Sequence, residues 1–196
     1  MEVSAHNRAQ LELIRELFSA CERRKVRFWL FGGWGIDALL GRVTREHSDI
    51  DILAETSSRQ ALRSALESIG GELSDKGAGW RYVGNGVRAD ISFLFAHSDG
   101  AVVSDIDPDD PDVYPWPEDS FPEECNGLLA GFRCRAVSWE AQYVAKAGYR
   151  NVFPDISLRA KDESDLETIA RYVPEEKRRE LEETVFEGIP REDCHR

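Results

Sequence analysis

The segment Gly32–Ile52, GGWGIDALLGRVTREHSDIDI, sets how the rest of the chain is read. It joins two adjacent glycines, a short apolar run shaped like a helix and closed by Gly41, and two carboxylates, Asp49 and Asp51, that alternate with Ile50 and Ile52. Alternate side chains of an extended strand share a face, so Asp49 and Asp51 project together. Two like charges held that close repel unless a cation compensates them, and a hard divalent ion such as Mg2+ is the ordinary solution. On spacing alone a plainer reading stands beside this one, with Asp49 in the turn before the strand and Asp51 at an exposed edge.

On the N-terminal side, residues 26–33, VRFWLFGG, read as a short buried strand ended by Gly32-Gly33. Before it, Leu11, Ile14, Leu17 and Phe18 recur at helical spacing within residues 7–25. On the C-terminal side, DIDILA is a second strand, and the stretch from Ser57 to Gly70-Gly71 reads as a helix. Residues 79–84 and 87–95 alternate like a hairpin about Asn85-Gly86, a tight-turn signal. Residues 96–127 are rich in Pro, Asp and Glu without periodicity and read as a long loop. FRCRAVS, residues 132–138, reads as a further strand, and Ser138 as the N-cap of a helix WEAQYVAKAGY. Two more helical patterns follow at 160–173 and 174–186, with Pro174 suited to a first turn. The expected class is α+β. Residues 1–137 form a mixed sheet flanked by helices, residues 138–196 a small helical lobe, and a ligand cleft lies between them.

Composition narrows the function. With 41% apolar residues and 10% aromatic in 196, the chain can bury a core. A formal net charge of −12 repels polyanions, which argues against nucleic acid as a partner, and attracts cationic ligands. No apolar run is long enough for a membrane span and no basic-then-apolar leader opens the sequence, so the chain reads as soluble and cytoplasmic, a monomer or homodimer. Cys21, Cys125, Cys134 and Cys194 are scattered without a CxxC pair, which argues against a zinc site and a disulfide framework and favours reduced thiols, two of them as small apolar fillers.

A third carboxylate favours the cation reading. Asp90 is the lone acid in the apolar strand RADISFLF; if that strand neighbours DIDILA, the three acids share one sheet face. Such a set holds Mg2+, with nucleotide phosphates completing its oxygen shell. Gly32-Gly33, between a strand and a helix, lets a triphosphate approach backbone N–H groups. Neither the GxxxxGK[ST] loop nor GxGxxG is present. Arg42, Arg45 and His47, just before the acids, either neutralise phosphate charge or are solvated loop residues.

The order FWLFGGWGID, GRVTREHSDIDI and RADI resembles the polymerase-β-type nucleotidyltransferase superfamily, and within it the antibiotic-modifying branch of aminoglycoside 2''-nucleotidyltransferases and lincosamide nucleotidyltransferases. SWEAQYVAKAGY and AKDESDLETI resemble that branch's C-terminal helices, so the likeness spans about Phe28 to Tyr172. The resemblance implies a nucleotidyltransferase core that moves a nucleoside monophosphate from an NTP, ATP above others, to a hydroxyl of a small molecule and releases pyrophosphate. By position it makes Asp49 and Asp51 the metal-binding pair for two Mg2+ ions and Asp90 the third acid, which takes the hydroxyl proton. Gly32, Gly33 and Trp34 match the phosphate-side turn, with Gly33 where many distant members have Ser. Lys146 and Lys161 fall in the helical region from which a lysine reaches the triphosphate, and Arg45 shares the pyrophosphate charge.

For the acceptor, no Lys or Arg lies between Arg88 and Arg133, while Ser104–Glu124 alone holds nine acids, Asp112 and Glu118 among them, with Tyr114, Trp116 and Phe121. Acids and aromatic faces suit a polyaminated sugar, so an aminoglycoside antibiotic is the expected acceptor. Two alternatives stay open. One is the same chemistry on a lincosamide or another hydroxylated metabolite; the other is an inert nucleotide- or metal-binding protein.

Overall fold

The computed structural model describes residues 3–77, 79–96, 101–104, 115–152 and 157–186, without the side chains of 149–152 and 186. Helix α1 (Ala5–Glu22) starts where the Ser4 hydroxyl accepts the Asn7 N–H, a side-chain cap, and the chain turns away from it at Lys25, whose φ is 57°. Strand β1 (Phe28–Phe31) runs directly into α2 (Gly32–Leu40), which Gly41 closes in the left-handed region. Strand β2 (Ile50–Glu55) and a 3-10 turn lead to α3 (Arg59–Ser68). Strands β3 (Glu72–Asp75), β4 (Gly79–Gly84) and β5 (Val87–Ala96) follow. Asn85 and Gly86 both have positive φ, as a two-residue primed turn requires.

These strands form a mixed sheet in the order β1-β2-β5-β4-β3, parallel only between β2 and β5. Strand β3 is an edge the pattern does not announce, because Leu73 is its lone apolar residue. The stretch read as one loop contains β6 (Val102–Ser104), paired with β5, and a bridge from Val103 to Pro115. The expected strand at 132–138 divides. Strand β7 (Gly127–Leu129) pairs with β8 (Phe132–Cys134) as a small hairpin, while Arg135–Val137 bonds to Leu30 and covers the edge of β1.

The sheet's two faces have different jobs. Phe28, Leu30, Ile50, Ile52, Ala89, Ile91 and Phe93 point to one face and are buried under α1 and α3. The alternating set on the other face begins with acids and ends in a second apolar cluster of Trp29, Leu53 and Leu94 beneath Val137 and Ala141. Helix α4 (Trp139–Val152) starts with the Ser138 hydroxyl accepting the Ala141 N–H. It packs with α5 (Ala160–Ile169) and α6 (Glu175–Phe186). Their core of Tyr143, Val144, Ile169, Val173, Leu181 and Val185 includes Ile36 of α2, so the helices are fastened to the element that follows β1. Cys21 and Cys134 are buried fillers, their thiols pushed up to about 12 by burial. Among the described residues no helix is long and apolar enough to cross a membrane.

Candidate active site

Register puts the acids together. Asp51 is the parallel partner of Asp90, Phe31 the antiparallel partner of Asp51, and Arg81 the antiparallel partner of Asp90, so these four side chains share one face across four strands. Asp49 lies two residues before Asp51 on the same strand path. At the same edge begins α2, whose N-terminal N–H groups receive no side-chain cap.

Each acid is held differently. Asp90 takes a two-point ion pair from Arg81 (Nε to Oδ1 2.7 Å, Nη2 to Oδ2 3.1 Å), with Arg88 Nε at 3.4 Å and Lys76 Nζ at 3.6 Å. Asp49 accepts from Ser48 Oγ at 2.8 Å and from Arg88 Nη2. Burial raises the Asp49 carboxyl, but those hydrogen bonds outweigh it and hold it below its ordinary value. Asp51 is paired with no cation among the described residues. Burial, then the charges of Asp49 and Asp90, push it up to about 6, against the opposing fields of Lys146 and Lys161. As the side chains stand, arginines claim Asp49 and Asp90, and among the described residues no three acids, cysteines or histidines converge on one ion.

Gly32 and Gly33 make room rather than simply turn the chain. Gly32 has φ +60°, and a Cβ there would stand 2.6 Å from Asp51 Oδ2. A Cβ on Gly33 would stand 2.5 Å from His47 Nδ1 and 2.8 Å from Arg45 Nη2. The loop before β2 therefore folds over the start of α2. His47 is buried at 3% exposure, tilted against Trp34, with Nε2 2.6 Å from Asp37 Oδ2 and Nδ1 3.0 Å from Arg45 Nη1. A guanidinium only donates, so Nδ1 accepts and Nε2–H donates to Asp37, which also accepts from the Thr44 N–H and hydroxyl. The Trp34 ring is likewise buried, and its N–H is spent on Gln10. Trp34 and His47 thus meet a ligand only through backbone or through Arg45.

Arg45 reaches across to α5, where its Nη2 lies 3.0 Å from Asp165 Oδ2. Lys146 of α4 joins the same network, 2.6 Å from Asp162 Oδ1 and 2.9 Å from Asp165 Oδ2. Lys161 acts on both Asp49 and Asp51 through its field. Lys146 acts on Asp51 in the same way, while its ammonium is bound to Asp162 and Asp165. Trp116 packs edge-on against Phe31 (5.8 Å) and Phe121 (5.6 Å), and its N–H donates to Ser104 Oγ at 3.2 Å. Glu118 is exposed, with its charge felt at Lys177. Asp112 and Tyr114 lie outside the described residues. Sequence reading missed Lys76, Arg81, Arg88, Asp37, Asp162 and Asp165.

A family model described as aminoglycoside-2''-adenylyltransferase matches residues 13–167, a span that includes Asp49, Asp51, Asp90, Arg45, Lys146 and Lys161. The chain belongs to the aminoglycoside-2''-adenylyltransferase family. Its chemistry is nucleotidyl transfer, a reaction that uses a nucleoside triphosphate and, generally, a divalent metal. A 2''-aminoglycoside nucleotidyltransferase of Klebsiella pneumoniae is 33% identical over 132 residues, 67% of this chain and 70% of that protein. The crystal structure of ANT(2'')-Ia in complex with adenylyl-2''-tobramycin superposes with a TM-score of 0.75 at 27% identity, covering 90% of this chain and 96% of that one. The lincomycin-bound lincosamide antibiotic adenylyltransferase LnuA superposes with a TM-score of 0.60 at 28% identity, covering 79% of this chain and 94% of that one. Membership in the aminoglycoside-2''-adenylyltransferase family thus agrees with an α+β nucleotidyltransferase fold.

Proposed function

We propose that this chain transfers a nucleoside monophosphate from an NTP, with ATP as donor, to a hydroxyl of an aminoglycoside antibiotic, releasing pyrophosphate. The observation that supports this most directly is the in-register pairing of Asp51 with Asp90 beside the start of α2. The donor set fits a hard divalent cation: it is all oxygen, and the carboxyl held up to about 6 by burial and like charges is a group that a cation would relieve. Asp49, Asp51 and Asp90 would hold Mg2+, two ions in this reading. When bound, Mg2+ supplies positive charge to the triphosphate and lowers the pKa of the acceptor hydroxyl.

The remaining work falls to the chain. The backbone N–H groups of Gly32, Gly33 and Trp34 receive phosphate oxygens where the helix dipole favours negative charge. Arg45, oriented by His47 and Asp165, and Lys161 share the charge that develops on the leaving pyrophosphate. Lys146 already holds Asp162 and Asp165, so it acts on the site through its field. Asp90, with its side chain 27% exposed, takes the proton of the attacking hydroxyl. Attack at the α-phosphorus then needs mainly alignment and charge neutralisation. Residues 1–137 carry the chemistry, and residues 138–196 bring the lysines to it. Trp116 stands beside Phe31 on the Asp51 side, where a sugar ring can lie against it, and the exposed Glu118 adds an acceptor contact.

Asp49→Ala and Asp51→Ala each test the assignment. Both should abolish Mg2+-dependent transfer while circular dichroism and melting stay those of a folded protein; retained transfer in either variant removes the metal assignment. A second acceptor class, a lincosamide, is favoured by one specific observation, the superposition on a lincomycin-bound adenylyltransferase.

A further inference from the structure

Asp90 is partly exposed, and the terminal torsion of a carboxylate is broad, so an unsupported side chain there would sample many orientations. It is not unsupported. Arg81 stands directly across the ladder, and its planar fork meets both carboxylate oxygens at 2.7 Å and 3.1 Å. Arg81 is itself fixed. Its chain neighbours Trp80 and Tyr82 are buried on the opposite face, 5% and 2% exposed, and the Asn85-Gly86 turn locks the register of the hairpin. Paired N–H donors on a carboxylate fix its plane as well as its position, which a single ammonium does not. Lys76 and Arg88 add charge nearby at 3.6 Å and 3.4 Å but make no second fork.

We propose that Arg81 is a positioning residue for the transfer reaction: it holds the Asp90 carboxylate in one plane beside Asp51. This rests on the reading above in which Asp90 takes the acceptor proton. Arg81 touches neither substrate; it acts through Asp90.

The test is a double-mutant cycle on the full-length protein, with kcat and KM for NTP and aminoglycoside measured for wild type, Arg81→Gln, Arg81→Lys, Asp90→Asn and Arg81→Gln/Asp90→Asn. Arg81→Gln should lower kcat by roughly 10-fold or more, the scale on which supporting partners of such ligands act, with both KM values far less changed. Arg81→Lys should recover little of the loss, since the fork is gone. The double variant should be no slower than Asp90→Asn alone, because the two residues act as one unit. Wild-type kcat in Arg81→Gln, full rescue by Lys, or losses that multiply in the double variant would overturn the proposal. If Arg81→Gln melts early, Arg81→Lys carries the same comparison with the charge retained. Undiminished transfer by Asp90→Asn would instead remove the reading on which the proposal stands.

Discussion

Asp51 is ionised at a cost. Its carboxyl sits near 6 because burial and the charges of Asp49 and Asp90 oppose ionisation. A carboxyl whose folded pKa lies above its unfolded value of 3.8 weakens the fold as pH rises from about 4 through 6. In EDTA, Asp51→Asn should therefore stabilise the metal-free protein at pH 7–8 by about 2 kcal/mol, and the gain should vanish by about pH 4; urea titrations across that range check it. An unchanged or negative difference at pH 8 would mean the repulsion is absent. The glycines allow a sharper contrast. Gly41 has φ +69° but nothing within 4 Å of a Cβ, so Gly41→Ala should cost about 1–2 kcal/mol of stability and leave kcat alone. Gly33→Ala would drive His47 and Arg45 apart from α2, so its kcat/KM for NTP should fall by roughly 10-fold or more. Equal activities of the two variants would show that Gly33 does no more than turn the chain.

At the level of elements, the loop before β2 and helix α5 are joined by charge. Arg45, Asp165, Lys146 and Asp162 form one run, extended by Arg159. Burial raises Asp162, but hydrogen bonds from Arg159 and Lys146 overcome it and bring the carboxyl down to about 2. Its stabilisation is thus complete above its unfolded value of 3.8 and lost as pH falls from about 4 to 2. Asp162→Asn should cost about 2 kcal/mol at pH 7 and nothing further at pH 2, read from chemical denaturation. Much of this scale was legible in the residues. A two-residue Asn85-Gly86 turn pairs Gly84 with Val87, which by counting places Arg81 opposite Asp90. The step that period alone could not supply is β2 beside β5, since a parallel pairing across α3 and two intervening strands leaves no local mark. Strand β3, with one apolar residue at an exposed edge, was invisible for a different reason: its pairing is backbone work. Trp34 and His47 read as ligand-facing from their place in the motif, yet each ring is buried.

For the molecule as a whole, a net charge of −12 should draw in a polycationic acceptor over distance. The KM for an aminoglycoside should therefore rise as NaCl increases from 50 to 500 mM, as screening shortens that reach, while the KM of a singly charged lincosamide moves much less. The fold and the acids leave the acceptor to be read directly. Incubating the protein with Mg2+, ATP or GTP, and a panel of aminoglycosides and lincosamides, then weighing the products by mass spectrometry, does so in one step. An aminoglycoside heavier by one AMP, formed with ATP and lost in Asp51→Ala, is the expected result. An adduct on lincomycin alone, or no adduct on any member of the panel, would contradict it.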